Sequence, residues 1–216
     1  TSDGGYIITG FTNSFGASSD IYLIKTNSLG NKEWEKTFGG TNYESGESIQ
    51  QTSDGGYVVV GYTSSLGAGG FDAYLIKVDS SGNKLWEKTF GGIYSDGSHS
   101  VKQTTDGGFI IAGVSASINH DLGNYYDAYL IKTDSLGNKL WEKGFGGVNT
   151  QGLYFVQQTI DGGYIAVGEN QVFSDHYHND AYLIKTDSLG NLEWEKTFGG
   201  SSDDVGHSVQ QTSDGG

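Results

Sequence analysis

SIQQTSDGGYVVVGYTSSLGAGGFDAYLIKVDSSGNKLWEKTFGG, residues 48–92, contains four short apolar or alternating segments separated by turn chemistry. The segments are SIQQT (Ser48–Thr52), YVVVGYT (Tyr57–Thr63), AYLIKV (Ala73–Val78) and KLWEKTF (Lys84–Phe90). Each has the length and the β-branched and aromatic content of a strand, and none sustains the 3.6-residue apolar period of a helix. SDGG joins the first two and DSSGN the last two, turns whose Gly and Asn accept the positive φ of a tight antiparallel hairpin. Four antiparallel strands in roughly 50 residues describe one propeller blade.

The pattern repeats along the chain. TSDGGY stands at Thr1 and Thr52, TTDGGF at Thr104, TIDGGY at Thr159 and TSDGG at Thr212, with successive offsets of 51, 52, 55 and 53 residues. Self-similarity at that period marks a repeat architecture; helical solenoids lack the strands, and a parallel β-helix uses shorter coils. The expected fold is all-β: a β-propeller of four-stranded antiparallel blades, four in this chain, forming one domain over residues 1–216. Its units start near residues 1, 52, 104 and 159. The first unit begins after its SIQQT-like strand, whereas GHSVQQT (Gly206–Thr212) provides one strand more than the fourth unit needs. Segment 206–212 is therefore expected to complete the first blade and remove an open sheet edge. A ring of four blades, four blades of a larger ring, and completion of a neighbouring molecule's blade all fit this overlap.

Composition excludes several function classes. With no Cys, the chain has no disulfide framework, thiolate metal site or sulfur redox chemistry. Its net charge of −14 comes from 26 carboxylates against 12 lysines, and without arginine it lacks the bidentate phosphate grip of nucleic-acid readers. Nucleic acid is not an expected partner. No apolar run reaches the roughly 18 residues of a membrane-spanning helix, so no transmembrane segment is expected in this chain.

Residues at matching positions of every unit read as scaffold. Trp34, Trp86, Trp141 and Trp194 each sit in a WEK phrase and suit packing between blades; Tyr22, Tyr74, Tyr129 and Tyr182 suit the core. Asp20, Asp72, Asp127 and Asp180 are expected to cap turns, with Lys25, Lys77, Lys132 and Lys185 laying their stems along an exposed face. Gln51, Gln103, Gln158 and Gln211 are expected to line the central channel.

Length varies in one loop. Gly10–Tyr22, Gly61–Tyr74, Gly113–Tyr129 and Gly168–Tyr182 are separated by 12, 13, 16 and 14 residues, which accounts for the whole variation in offset. The third and fourth of these loops, SASINHDLGNYYD and NQVFSDHYHND, gain His, Tyr and Asn over their Gly/Ser-rich counterparts. The crossovers TNYESGE, IYSDGSH, VNTQGLY and SSDDVGH also differ, and in a propeller they emerge on the same face as the variable loop. Loops on a rigid frame are where recognition usually resides. The candidate ligand-binding residues are His120, Tyr125, Tyr126, Phe173, Asp175, His176, Tyr177, His178 and Asn179. Asp175, His176 and His178 are the candidates for a divalent cation such as calcium, although exposed polar decoration is the simpler reading and no cofactor is expected. The pairs Asp96/His99 and Asp204/His207 are expected to order the crossovers by hydrogen bonding.

With SDGGY, YLIKTDSLGN, LWEKTFGG and SIQQT recurring throughout, the chain resembles the secreted propeller-repeat proteins found on bacterial and archaeal surfaces. DSLGNKLW (Asp134–Trp141) is also similar to the tryptophan-docking stretch of quinoprotein-type propellers, with no quinone ligand set to carry over. The resemblance implies an extracellular or cell-surface module. The expected function is non-catalytic binding of a protein or glycan through one loop-rich face. A structural subunit joined by strand exchange between end strands, and a hydrolase or lyase with its site at the propeller axis, are the alternatives.

Overall fold

The computed structural model describes residues 1–15, 18–118, 126–147, 149–173 and 177–215. These form fifteen strands: β1 (Tyr6–Thr12), β2 (Asp20–Thr26), β3 (Lys32–Phe38), β4 (Glu44–Gln51), β5 (Tyr57–Thr63), β6 (Asp72–Val78), β7 (Lys84–Phe90), β8 (Asp96–Gln103), β9 (Phe109–Ser115), β10 (Asp127–Thr133), β11 (Lys139–Phe145), β12 (Gln151–Gln158), β13 (Tyr164–Phe173), β14 (Tyr177–Thr186) and β15 (Leu192–Phe198). Four antiparallel sheets follow the chain in order: β1-β2-β3, β4-β5-β6-β7, β8-β9-β10-β11 and β12-β13-β14-β15. This is the all-β, repeated-blade, propeller-like architecture that the repeat predicts. Two compact units divide the chain, Thr1–Gln103 and Thr104–Gly216, and the division falls where the third repeat begins.

In the first unit, Ile21, Leu23, Tyr57, Val59, Tyr74, Ile76 and Val78 form a core, with Trp34 packed against it. Trp34 meets Tyr57 edge to face, 6.0 Å between ring centroids, so the tryptophan of one repeat seats against the SDGGY tyrosine of the next. The second unit repeats the contact with Trp141 and Tyr164 at 5.8 Å. Trp194 lies 41% exposed and does not share this degree of burial.

One end of each sheet carries the invariant turns, here called the hairpin end. The expectation of lysine stems on an exposed face fails there: Lys25, Lys77, Lys132 and Lys185 are buried, at 2%, 4%, 3% and 8% exposure. Each ammonium bonds the SDGG-type aspartate of its own repeat, in the pairs Lys25–Asp3 (2.8 Å), Lys77–Asp54 (3.0 Å), Lys132–Asp106 (2.9 Å) and Lys185–Asp161 (2.9 Å). The reason is local. A bulge just after each lysine disrupts the strand ladder, and Nζ donates to the carbonyl of the following residue, for example Val78 at 3.1 Å. The second glycine of the turn is obligatory, since a Cβ at Gly56 would stand 2.4 Å from the Val78 oxygen and 2.5 Å from Lys77 Nζ. Despite burial, which opposes it, hydrogen bonds from Thr52, Lys77 and the Gly56 N–H hold the Asp54 carboxyl at about 2. Asp106 is held at about 2 in the same way.

Each repeated glutamine accepts a hydrogen bond from the opening turn of its own repeat. Ser2 N–H donates to Gln51 Oε1 (2.7 Å), Ser53 N–H to Gln103 (2.8 Å), Thr105 N–H to Gln158 (2.9 Å) and Ile160 N–H to Gln211 (2.9 Å). These amides are thus satisfied polar groups, as expected of a buried or lining position.

The first sheet has three strands, and Gly206–Thr212, expected to be its fourth, lies outside any strand. Backbone bonds at and just before its start run to the fourth sheet. Asp204 N–H donates to Asn179 O (2.6 Å) and Gly206 N–H to Gly168 O (3.1 Å). It thus occupies, against the fourth sheet, the place that the SIQQT-type strands take against their own preceding sheets.

Candidate functional site

The opposite end of each sheet, here called the loop end, carries the crossovers and the variable loops. Its frame is built from carboxylates. Backbone N–H groups of Glu44, Asp96, Gln151 and Asp204 donate to Ser19, Phe71, Tyr126 and Asn179 oxygens at 2.6–2.7 Å, tying each crossover to the variable loop of its own repeat. The Glu44 carboxylate accepts from Gly40 N–H (2.8 Å) and Thr63 Oγ1 (2.7 Å); Asp96 accepts from Gly92 N–H (2.9 Å) and Asp204 from Gly200 N–H (3.0 Å). This is the crossover-ordering role expected for Asp96 and Asp204. Asp72 caps its loop by accepting from Ala68 N–H at 2.9 Å, as expected of that position.

These acids meet in pairs around the first glycine of FGG. A Cβ at Gly39 would stand 2.1 Å from Asp20 Oδ1 and 2.5 Å from Glu44 Oε2; one at Gly91 would stand 2.3 Å from Asp72 Oδ1 and 2.7 Å from Asp96 Oδ2. Burial, and then the neighbouring carboxylate, raise the carboxyls of Asp20 and Asp72 above their ordinary range. The pair built on Asp127 has an amide as its second member. Gln151 Nε2 donates to Asn170 Oδ1 (2.7 Å), and a polar cleft of about 400 Å³ opens beside it. Gln151 Oε1, crowding Gly146 beside Asp127 Oδ1, has no hydrogen-bond partner among the described residues. Turning both amides over preserves the Gln151–Asn170 bond and lets Nε2 point toward Asp127 in place of the unsatisfied Oε1.

Of the candidate binding residues, His120, Tyr125, Asp175 and His176, together with the side chain of Phe173, lie outside the described residues. Tyr126 is 37% and Tyr177 77% exposed. The stretch read as the loop SDHYHND is partly a hairpin extension: β13 and β14 run ten residues each and pair Val172 with His178 and Phe173 with Tyr177. His178 Nε2 lies 3.8 Å from Asp180 Oδ1, and Asn179 N–H donates to Asp203 Oδ1 (2.9 Å). Among the described residues, no three His, Asp or Glu side chains converge as a metal site.

An aromatic cluster in the first unit went unread in the sequence. Tyr43, from the crossover, stacks with Tyr62 of β5 at 6.0 Å and 13°. Phe71, from the variable loop, stands perpendicular to both at 6.1 and 5.4 Å, and Phe11 of β1 lies 6.3 Å from Tyr43. Phe11 is 53% and Phe71 38% exposed. Burial raises the Tyr62 hydroxyl above its ordinary range, with the Ser45 hydroxyl bonded beside it. The clue was available at matching positions: Phe11 and Tyr62 correspond to Val114 and Glu169, so the aromatic pair belongs to the first two repeats.

No family model matches the chain, and no curated protein matches it. Among solved structures it is similar to a protein of unknown function from Bacteroides caccae, with a TM-score of 0.49 and 9% identity, covering 89% of this chain and 72% of that one. Among the described residues, no helix is long and apolar enough to cross a membrane.

Proposed function

We propose that this chain is a non-catalytic binding module of a secreted or cell-surface protein, contacting a protein or glycan through the loop ends of its sheets. The observation that carries the reading is the contrast between the two ends. Every repeat builds its hairpin end from the same Lys–Asp pair and Gln-to-turn bond. The loop ends instead expose different aromatic residues in different repeats, Phe11 and Phe71 in one unit and Tyr126 and Tyr177 in the other. Exposed aromatic rings on a fixed frame supply contact area at low entropic cost. Glu44, Asp72 and Asp96, three of the paired carboxylates that an enzyme reading would recruit, already accept backbone N–H bonds. The cellular setting rests on the resemblance of the repeat motifs to surface propeller proteins.

Screening the chain against an oligosaccharide array and a peptide-display library tests this reading. Ligands recovered there should lose binding when Phe71, Tyr126 or Tyr177 is replaced by Ala, and keep it when the exposed hairpin-end residues Leu29 or Leu136 are replaced. The reverse pattern would overturn it.

A second reading, a structural subunit joined by strand exchange, draws on two observations. β1 is an edge strand with Tyr6, Ile8 and Phe11 at 58%, 48% and 53% exposure, and Gly206–Thr212, alike in sequence to the SIQQT-type strands, lies outside any strand. Such pairs join chains by β-augmentation. Sedimentation over a range of concentrations should then show growing species that disappear on deletion of 206–215. A monomer at every concentration contradicts it.

A further inference from the structure

The reading of a binding module leaves the partner's chemistry open, and the first unit narrows it. We infer that the cluster of Tyr43, Tyr62, Phe71 and Phe11, rimmed by Glu47, is a docking site for the cationic side chains of a basic, lysine- or arginine-bearing segment of a partner protein; the inference rests on that reading.

The ring geometry selects against a flat ligand. Tyr43 and Tyr62 are near-parallel and Phe71 crosses both at 86–88°, so the rings form a corner and not a platform. A pyranose stacks on an open, level ring face, whereas a compact ammonium or guanidinium group fits where ring faces of different orientation meet. Four partly exposed aromatic rings in contact are also more than the scattered single apolar residues of an ordinary surface.

Charge decides the occupant. The loop-end segments of the first unit, residues 12–20, 39–47, 63–72 and 90–97, contain Asp20, Glu44, Glu47, Asp72 and Asp96 and not one lysine. The unit's lysines, at positions 25, 32, 36, 77, 84, 88 and 102, all lie on strands or turns away from these segments, and the chain has no arginine. Lys25 and Lys77 are committed to the hairpin end. Glu44, Asp72 and Asp96 are buried, but Glu47 is exposed and accepts from Ser45 Oγ at 3.0 Å, beside the Tyr62 hydroxyl. A cation held against these rings therefore meets an adjacent carboxylate and no competing positive charge from the segments around it. The field of the site repels an anionic partner and attracts a cationic one.

Fluorescence anisotropy with labelled hexalysine, hexaglutamate and a neutral cello-oligosaccharide separates the possibilities. Hexalysine should bind, and more weakly at roughly 200 mM than at roughly 50 mM salt. Tyr43→Ala and Phe71→Ala should weaken it by roughly 3- to 30-fold, the range expected for loss of a cation–π contact. Tyr43→Phe, which keeps the ring, should bind as the parent chain does, with unchanged melting temperatures marking intact folds. Glu47→Gln should also weaken binding and flatten the salt dependence. Hexalysine binding that ignores Tyr43→Ala and Phe71→Ala would overturn the site, since attraction to the net charge alone would explain it. Binding of the oligosaccharide but not hexalysine, lost in Tyr43→Ala, would overturn the cationic occupant while leaving the loop-end binding reading intact. Failure of every probe would overturn the cationic site, and the array and display screen would still judge the broader reading separately.

Discussion

Gln103 Oε1 accepts a hydrogen bond from the N–H of Ser53 at 2.8 Å, fifty residues away in the chain, and so fastens the end of a repeat to its own opening turn. The bond recurs from Gln51 to Ser2, from Gln158 to Thr105 and from Gln211 to Ile160. A side chain reaching that turn at the same register in every repeat positions the end of the repeat without needing large apolar area.

Gln103→Ala removes this bond and leaves an exposed N–H that water can take over. The expected loss is about 1 kcal/mol, read as a fall in melting temperature of about 2–4 °C. Lys102→Ala, on the same strand, should change the melting temperature by less than half as much.

The Lys77–Asp54 pair is asymmetric in burial, with side-chain exposures of 5% and 59%. Asp54→Ala strands a buried ammonium whose remaining bond is to the Val78 carbonyl, and should cost about 3 kcal/mol. Lys77→Met keeps the packed stem and lets Asp54 rehydrate, so it should cost about half of that. Denaturant titration of both variants checks the order; an equal or larger loss from Lys77→Met contradicts it.

Stability should depend on pH in two opposing ways. Asp54 and Asp106, held at about 2 against an ordinary 3.8, contribute stability that is present above pH 3.8 and is lost as pH falls toward 2. Asp20 and Asp72 are raised by burial and by Glu44 and Asp96, so the native state favours their protonated form. Their contribution is present in acid and is lost as pH rises through their folded values. Asp72→Asn, which keeps the acceptor for Ala68 N–H, should therefore raise the melting temperature at pH 7, with the gain shrinking as pH falls. Gln151, opposite Asp127, is the chain's own instance of an amide in such a pair. A gain that is constant with pH would mean the two carboxylates do not oppose one another.

The fold was legible because four repeats report the same strands. YVVVGYT and KLWEKTF coincide with β5 and β7, and the third strand begins one residue earlier than its apolar run, at Asp72. Side-chain partnerships were harder. Lysine at a strand end reads as a solvated stem, and only the bulge at Lys77/Val78, which frees a carbonyl beneath the ammonium, makes burial favourable. SDHYHND read as a loop because its charged and aromatic residues do not alternate with apolar ones, yet Val172–His178 pairing continues the ladder of β13 and β14 into it. The aromatic cluster was only partly legible: Phe11 and Tyr62 occupy matching positions, but Tyr43 and Phe71 come from two further segments, and the meeting of all four depends on register. Gly206–Thr212 repeats the sequence of the SIQQT-type strands but lies outside any strand, so its place was less legible than theirs.

The most direct test of the account is to map, by backbone amide shifts of the isotopically labelled chain, where the tightest ligand from the array and display screen sits. The account predicts that perturbed amides gather in residues 12–15, 39–47 and 63–72 of the first unit, or in the loop-end segments around Tyr126 and Tyr177 of the second, with the Asp79–Asn83 and Asp134–Asn138 turns unmoved. Perturbation centred on those turns would contradict the assignment of recognition to the loop ends.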